Sequence, residues 1–196
     1  MKWLFADISD FSEQQYKDAY EKLTENRKKK IDRLVRPEDK MRSLAAEMLL
    51  NRLLASEFGL QNAILENEQN GRPFIKDCPV FVSLSHSGQK VAAAASKAPV
   101  GIDVERLRPA NLKMARIFCT EEEKIYLFGA RPSDEDYNSC SDEDVLARFY
   151  EVWTAKEAYF KKLGTGITDL KSVNVLALKR EMSRIEDYVV QIICDE

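Results

Sequence analysis

The chain has 196 residues, of which 44% are hydrophobic and 32% are charged, and its formal net charge is −3. This composition is typical of a folded domain, and the nearly balanced charge excludes a global basic field of the kind that drives nonspecific nucleic-acid binding. No apolar run is long enough to cross a bilayer and no apolar leader opens the chain, so we expect neither a membrane segment nor a signal peptide. Four cysteines without CxxC spacing and a single histidine argue against a zinc site and predict free thiols in a reducing cytoplasm.

The first third of the chain predicts one strand followed by helices. Residues 2–8 predict an opening strand, and residues 13–36 place apolar side chains at helical spacing until Pro37 interrupts the pattern. A longer apolar stripe predicts a second helix over residues 38–58, which Gly59 can end in the left-handed conformation.

The remaining chain predicts a small antiparallel sheet, then helices and a closing strand pair. Turn residues separate four short strands, predicted over residues 63–68, 80–85, 91–96 and 100–105. The second half is predicted to contain helices over 112–118, 121–128 and 145–163, a polar loop over 129–142, and strands over 173–178 and 188–194. Gly164 is expected to end the longest of these helices.

The grouping of these elements favours an α+β fold over an alternating parallel-sheet protein. We expect a division near residue 100, into an N-terminal subdomain over residues 1–99 and a C-terminal subdomain over residues 100–196. Ligand sites are common at such junctions, so a site between the two subdomains would be unsurprising.

Asp103 and Glu105 lie two residues apart in the predicted strand over 100–105, so the two-residue period points both carboxylates to one face. Two anions on one face repel each other, and a cation, basic side chains or bulk water must offset that cost. The pair is therefore either part of a cation site or the solvated face of an edge strand.

The long helix of the second half places Trp153, Glu157 and Lys161 along one ridge at intervals of four residues, with Lys156 beside Glu157. This pattern is either an exposed helix with ordinary Glu–Lys pairing or one wall of a functional site. The flexible turn 164–166 that follows suits the close approach of a ligand.

Three segments of the first half are candidate anion sites. Residues 81–88 carry two serines around the only histidine, His86, and Arg72 lies in the tight turn 70–73, where a guanidinium can bind an anion in bidentate fashion. A lone histidine is more often structural than catalytic, but its position in a turn between two serines leaves a structural and a functional role equally open. The basic run over residues 27–36 is either a solvated helix face or an anion site.

The motifs GRP, SLSHSG, VGIDVE, FCTEE and WTAKEAYFKKLGTGI follow one another across residues 71–167. In this combination they resemble the phosphopantetheinyl transferase superfamily, in particular its surfactin-synthetase-activating type, with its G-(K/R)-P and SHS turns, its G-x-D-x-E strand and its W-x-x-K-E helix. The resemblance covers nearly the whole chain. It implies two similar α+β subdomains, related by a pseudo-twofold axis within a monomer, with coenzyme A bound in the cleft between them.

The same resemblance implies an enzyme that transfers 4′-phosphopantetheine from coenzyme A to a serine of an apo acyl, peptidyl or polyketide carrier protein and releases 3′,5′-ADP. It implies Mg²⁺, with Mn²⁺ as an alternative, bound by three carboxylates: Asp103, Glu105 and Glu157. Glu157 is expected to accept the serine proton, directly or through a metal-bound water, and Lys161 to stabilise charge on the phosphates. Glu122, or Glu121 beside it, matches a further acidic position near the metal.

Family positions that bind coenzyme A map onto nine residues of this chain: Arg27, Lys30, Arg42, Arg72, Ser85, His86, Asp103, Lys156 and Lys161. His86 is expected to bind the 3′-phosphate, and Arg72 replaces the usual lysine of the G-K-P turn, which keeps the charge and changes the geometry. Asp103 is expected to lie in a hydrated cleft. A catalytically silent binding module of the same fold is the alternative; it would be expected to lack one of the carboxylates or Lys161, and the sequence retains them all. The sequence leaves open whether the carrier serves fatty-acid, polyketide or nonribosomal-peptide synthesis.

Overall fold

Two antiparallel sheets, each packed against one long helix, organise the computed structural model, which describes residues 1–138 and 142–195. The prediction of an α+β fold is confirmed. Cys140, in the predicted polar loop, lies outside the described residues. Among the described residues, no helix is long and apolar enough to cross a membrane.

The first sheet contains five strands in the order β1-β5-β4-β3-β2. Its strands are β1 (Lys2–Asp7), β2 (Leu65–Asn67), β3 (Pro73–Ile75), β4 (Phe81–Ser87) and β5 (Lys90–Ser96). The short strand β3 was not predicted. Three helices precede or cover this sheet: α1 (Glu13–Glu21), α2 (Glu25–Asp32) and α3 (Pro37–Phe58).

The prediction of one helix over residues 13–36 is wrong, because the helix is interrupted between α1 and α2. Thr24 adopts an extended conformation there, and its hydroxyl accepts a hydrogen bond from Arg27 N at 3.4 Å as the N-cap of α2. By contrast, α3 matches its predicted range closely and ends at Gly59, whose φ of 68° is left-handed as expected.

The second sheet has the order β6-β8-β7 and contains β6 (Val100–Arg106), β7 (Glu181–Ile185) and β8 (Tyr188–Cys194). Its helices are α4 (Ala115–Phe118), α5 (Glu121–Phe128) and α6 (Glu143–Leu163). All strands of the first sheet precede residue 97 and all strands of this one follow residue 99. The subdomain boundary at 99/100 stays a prediction.

The predicted strand over 173–178 is wrong. Residues 175–177 form a 3₁₀ turn instead, and the Asn174 side chain caps it by accepting a hydrogen bond from Leu176 N at 3.0 Å. In its place β7 pairs with β8 on the side opposite β6, and Glu186 and Asp187 form the hairpin turn between β7 and β8.

Strand β5 is buried on both faces and lies at the centre of the molecule. Ala93 and Ala95 pack into the core beneath α3, whereas Ala92 and Ala94 pack against apolar side chains of the second sheet such as Ile102. Small side chains at alternate positions allow close packing on both faces of this strand. The two sheets are therefore packed against each other, with β4 beside β6.

Candidate active site

A cleft of about 770 Å³ lies between β4, β6 and α6, and is closed by α2 and by the turns 70–73 and 164–167. It contains most of the side chains that the sequence singled out: Arg27, Lys30, Arg72, Ser85, His86, Asp103, Glu105, Glu157 and Lys161. Three predicted site residues, Arg42, Glu122 and Lys156, are not among those that line it.

Serines at alternate positions of β4 attach this strand to β6. Each serine hydroxyl accepts a hydrogen bond from a backbone N–H of β6: Ile102 to Ser83 at 3.1 Å, Val104 to Ser85 at 3.2 Å and Arg106 to Ser87 at 3.1 Å. Two of these hydroxyls also donate to carboxylates, Ser85 to Asp103 Oδ1 at 2.6 Å and Ser87 to Glu105 Oε2 at 2.8 Å. The serines therefore connect the two sheets and orient both acidic side chains of β6.

Gly101 lets α6 approach β6 closely enough to complete the cleft. A Cβ atom at this position would lie 1.9 Å from Ala158 O and 2.5 Å from Lys162 N, so no larger residue fits without moving the helix. Since Gly101 alternates with Asp103 and Glu105, the helix that packs on this glycine also brings Glu157 and Lys161 to the carboxylates.

Asp103 is the centre of a buried hydrogen-bonded group. Lys161 Nζ donates to Asp103 Oδ1 at 2.6 Å and to Ser85 Oγ at 2.9 Å. The Asp103 residue is only 4% exposed, so the expectation that it lies in a hydrated cleft is wrong. The physical reason is that β4 packs over β6, so that serine and lysine groups replace water around this carboxylate.

Glu157 forms no hydrogen bond or ion pair with any residue that the structure describes, although it faces two other carboxylates. Desolvation raises the pKa of Glu157 to about 7, and the negative charges of Asp103 and Glu105 act in the same direction. The pKa of Glu105 is also raised, by desolvation and by Asp103. A carboxyl group with a pKa near 7 can exchange a proton at neutral pH.

The three carboxylates do not converge in this arrangement: among the described residues, no group of three or more His, Cys, Asp or Glu side chains is placed to hold a metal ion. Two features nevertheless fit a hard cation. Asp103 Oδ2 is buried and has no hydrogen-bond partner among the described residues, and desolvation, together with the negative charge of Asp103, raises the pKa of both Glu105 and Glu157. Carboxylate oxygens are also the donors that Mg²⁺ prefers.

The opposite wall of the cleft is basic. Partial desolvation and the nearby cations Arg42 and Lys161 lower the pKa of His86, and desolvation together with Arg27 lowers the pKa of Lys30. The Arg72 guanidinium lies over the Phe81 ring at 5.5 Å and makes no ion pair with the described part of the chain. A cleft with carboxylates on one wall and cations on the other suits an anionic ligand together with a cation.

Lys156 lies outside the cleft, which corrects its predicted role in coenzyme A binding. Its ammonium group is fully buried on the far side of α6 and donates to Glu123 at 2.8 Å, Leu170 O at 2.6 Å and Val173 O at 2.7 Å. An ammonium group has three protons, so none is left for a phosphate. Glu122 is exposed on α5 and does not line the cleft, so the structure gives no support to its predicted place near a metal.

Three further predicted contacts are already occupied by protein groups. Arg27 is 4% exposed, and its guanidinium donates to Glu47 at 2.7 Å and to Asn67 at 2.7 Å, so it stabilises the cleft wall. The Ser85 hydroxyl uses its one donor and both acceptor sites on Asp103, Val104 N and Lys161. Arg42 pairs with Asp39 and donates to Gly88 O at 3.1 Å beside His86.

Sequence reasoning missed the partners that hold the site residues in place. Glu47 lies within the predicted helix over residues 38–58 and was not singled out, and of the three consecutive glutamates only Glu121 and Glu122 were considered as site residues. The spacing of Thr120 and Glu123 predicts a capping box, which the structure contains, and could have identified Glu123 as a structural residue. Ser87 was noted in a turn, but only the packing of β4 against β6 shows that it orients Glu105.

Comparisons with known proteins identify the family. Two family models match consecutive parts of the chain: "4′-phosphopantetheinyl transferase, N-terminal" over residues 10–98 and "4′-phosphopantetheinyl transferase superfamily" over residues 99–188.

Three relatives illustrate the similarity. The 4′-phosphopantetheinyl transferase gsp of Aneurinibacillus migulanus is 33% identical over 137 residues, which are 69% of this chain and 53% of the relative. The transferase psf-1 of Bacillus pumilus is 35% identical over 66% of this chain and 53% of its own length. HetI of Nostoc is 26% identical over 90% of this chain and 74% of its own length. The chain thus spans about half the length of the first two relatives. Taken together with the carboxylates and cations of the cleft, these matches show that the chain belongs to the 4′-phosphopantetheinyl transferase superfamily.

Proposed function

We propose that this chain transfers the 4′-phosphopantetheine arm of coenzyme A to a serine hydroxyl of an apo acyl, peptidyl or polyketide carrier protein, in a reaction that depends on Mg²⁺ or Mn²⁺. The observation that carries the proposal is the cleft, in which three carboxylates and Lys161 face a basic wall that contains Arg72 and His86. The names of the relatives, all 4′-phosphopantetheinyl transferases, support the same activity.

The basic wall accounts for binding of the co-substrate. Coenzyme A carries a pyrophosphate and a 3′-phosphate. Arg72 and Lys30 are cleft cations without an ion-pair partner among the described residues, and the His86 imidazole adds a hydrogen-bond donor. Family resemblance assigns the 3′-phosphate to His86. Charge-assisted hydrogen bonds of this kind are about twice as strong as neutral ones.

Glu157 and Lys161 account for the chemistry. The carrier serine oxygen attacks the phosphorus bonded to the pantetheine arm, and the bond from that phosphorus to 3′,5′-ADP breaks. Serine must lose its proton as the new bond forms, and Glu157, whose pKa is raised to about 7, is a suitable acceptor near neutral pH. Lys161, already held by Asp103 and Ser85, offers a fixed positive charge to the phosphoryl oxygens.

The residues that would hold the metal are Asp103, Glu105 and Glu157. A bound divalent cation would neutralise phosphoryl oxygen charge. Two observations support this assignment: Asp103 Oδ2 lacks a hydrogen-bond partner among the described residues, and desolvation together with the charge of Asp103 disfavours ionised Glu105 and Glu157. A monomeric state and a cytoplasmic location stay predictions.

The decisive experiment is intact mass spectrometry of several apo carrier proteins after incubation with the chain, coenzyme A and Mg²⁺. The mass of one carrier should rise by one phosphopantetheine arm, and excess chelator should abolish the change. A chain that binds coenzyme A and carrier in calorimetry but never changes the carrier mass would instead be a silent binding module. Transfer that continues unchanged in excess chelator would refute the metal site.

A further inference from the structure

A fully buried ion pair ties together three segments of the second subdomain. Lys156 Nζ of α6 and Glu123 Oε2 of α5 lie 2.8 Å apart, and both side chains are 0% exposed. The same ammonium group donates to two backbone carbonyls in the segment after α6, Leu170 O at 2.6 Å and Val173 O at 2.7 Å. All of its protons are thus used within the protein.

The carboxylate of this pair is bound on the same segment. Glu123 Oε1 accepts a hydrogen bond from Val175 N at 2.8 Å, and Oε2 accepts one from Thr120 N at 2.8 Å. The ion pair therefore binds two carbonyl groups and one N–H group of residues 170–175. Its own two side chains come from α5 and α6. We call the set of Lys156, Glu123 and the backbone of residues 170–175 the clamp.

Two residues before the segment 170–175, the turn 164–167 forms part of the cleft wall. Gly164, Gly166 and Ile167 line the cleft. Gly164 O accepts a hydrogen bond from Asn70 Nδ2 at 2.9 Å, and a Cβ atom on Gly164 would lie 2.6 Å from the Arg72 side chain. Through Gly164 the turn thus contacts Asn70 and Arg72, whose guanidinium forms no ion pair with the described residues. It is held on one side by the end of α6 and on the other by the clamp.

A contribution to folding stability does not by itself explain why a buried ion pair occupies this position. Buried ion pairs contribute little compared with apolar residues of similar volume, because desolvation of two charges offsets their attraction. An apolar pair, however, could not hydrogen-bond two carbonyls and one N–H group of an irregular segment, and those groups would be left unsatisfied.

We propose that Lys156 and Glu123 are positioning residues, which hold the turn 164–167, and with it Arg72, in the geometry that binds the anionic co-substrate. The role of the co-substrate rests on the proposed function, whereas the ordering of the turn does not. The lysine of the W-x-x-K-E motif, Lys156, thereby has a structural role that requires no contact with a ligand.

The test compares Lys156→Met, the double variant Lys156→Met with Glu123→Gln, and the control Glu151→Gln. The double variant removes both charges at similar volume, so it avoids the uncompensated buried charge that the single variant leaves. Glu151 lies on the same helix and is 3% exposed, but its carboxylate bonds to Tyr126 and Arg184 instead of the backbone of residues 170–175. Each variant is measured by thermal melting, by amide hydrogen exchange without ligand, and by calorimetric titration with coenzyme A.

We expect the double variant to recover melting temperature relative to Lys156→Met, yet to exchange amides of residues 164–175 faster than wild type. Its dissociation constant for coenzyme A should rise roughly tenfold, which corresponds to about 1.4 kcal/mol. The control Glu151→Gln should lower the melting temperature without changing amide exchange over residues 164–175 or the dissociation constant for coenzyme A.

The proposal is overturned if the double variant keeps wild-type exchange over residues 164–175, or if the control accelerates exchange there to the same extent. If Lys156→Met does not fold, the double variant alone carries the comparison. If wild type fails to bind coenzyme A, the proposed function fails, and the exchange data still decide whether the clamp orders the turn.

Discussion

Replacement of Glu157 by glutamine should stabilise the ligand-free protein while it disables transfer. The carboxylate faces Asp103 and Glu105 and forms no hydrogen bond or ion pair with the described residues, so its ionised form is poorly compensated. Glutamine has nearly the same shape and carries no charge at any pH. The substitution therefore removes repulsion without creating a cavity.

The magnitude follows from the pKa of Glu157, which is about 7 in the folded protein against an ordinary value of 4.5. Each pKa unit corresponds to about 1.36 kcal/mol, so ionisation of this group lowers the free energy of unfolding by at most about 3 kcal/mol, and partial exposure reduces that figure. The folded state binds the proton more tightly than the unfolded state. The stability is therefore fully present below pH 4.5 and is lost as the pH rises through 7.

Thermal melting in the absence of metal and coenzyme A, at pH 5 and pH 8, measures the effect. At pH 8, Glu157→Gln should melt between about 2 and 10 °C above wild type. At pH 5 the difference should be much smaller, because Glu157 in the folded wild-type protein is then mostly protonated. The rate constant for transfer should fall by roughly 10²- to 10⁴-fold, as expected on loss of a general base.

Glu143→Gln is the matched control, since Glu143 is an exposed residue on the same helix. It lies in the first helical turn, where a negative charge is favourable, so its removal should give no increase in melting temperature. An equal gain for Glu157→Gln at both pH values would show that the gain does not come from ionisation of Glu157, and no gain at pH 8 would show that its carboxylate is well solvated. The assignment of Glu157 as the proton acceptor would then lose its physical basis.

Three other substitutions test separate parts of the site. Asp103→Asn should lower the pKa of Glu157 and so shift the acidic limb of the rate profile to lower pH; an unchanged profile would show that the two carboxylates do not interact. His86→Ala should raise KM for coenzyme A and weaken discrimination against dephospho-coenzyme A, whereas a collapse of kcat with discrimination intact would make the imidazole the base. Gly101→Ala should destabilise the fold by about 1 to 3 kcal/mol or more in denaturant unfolding, because its methyl group would collide with Ala158 O; wild-type stability would contradict the close packing of α6.

Local patterns in the sequence determined the elements that carry the site. The apolar stripe before Gly59 predicted α3, the helical spacing before Gly164 predicted most of α6, and both glycines adopt the expected left-handed conformation. The alternation in β6 predicted that Asp103 and Glu105 share one face. These features depend on the period of a helix or strand, which neighbouring residues specify by themselves.

Sequence reasoning was less successful where a residue's role depends on what packs against it. Lys156 and Glu157 are neighbours on one helix, so they point about 100° apart, and the periodicity does not say which of them faces the cleft. The same ambiguity separates exposed Glu122 from buried Glu123.

Only the tertiary structure decided these assignments. The segment 170–175 folds back against α6 and buries Lys156, whereas β4 packs over β6 and surrounds Asp103 with serine and lysine groups. Burial of a charged side chain requires partners that satisfy all its hydrogen bonds, and those partners are distant in sequence. The sequence by itself therefore determined which residues could form the site, and the packing of the two sheets and α6 decided which of them reach it.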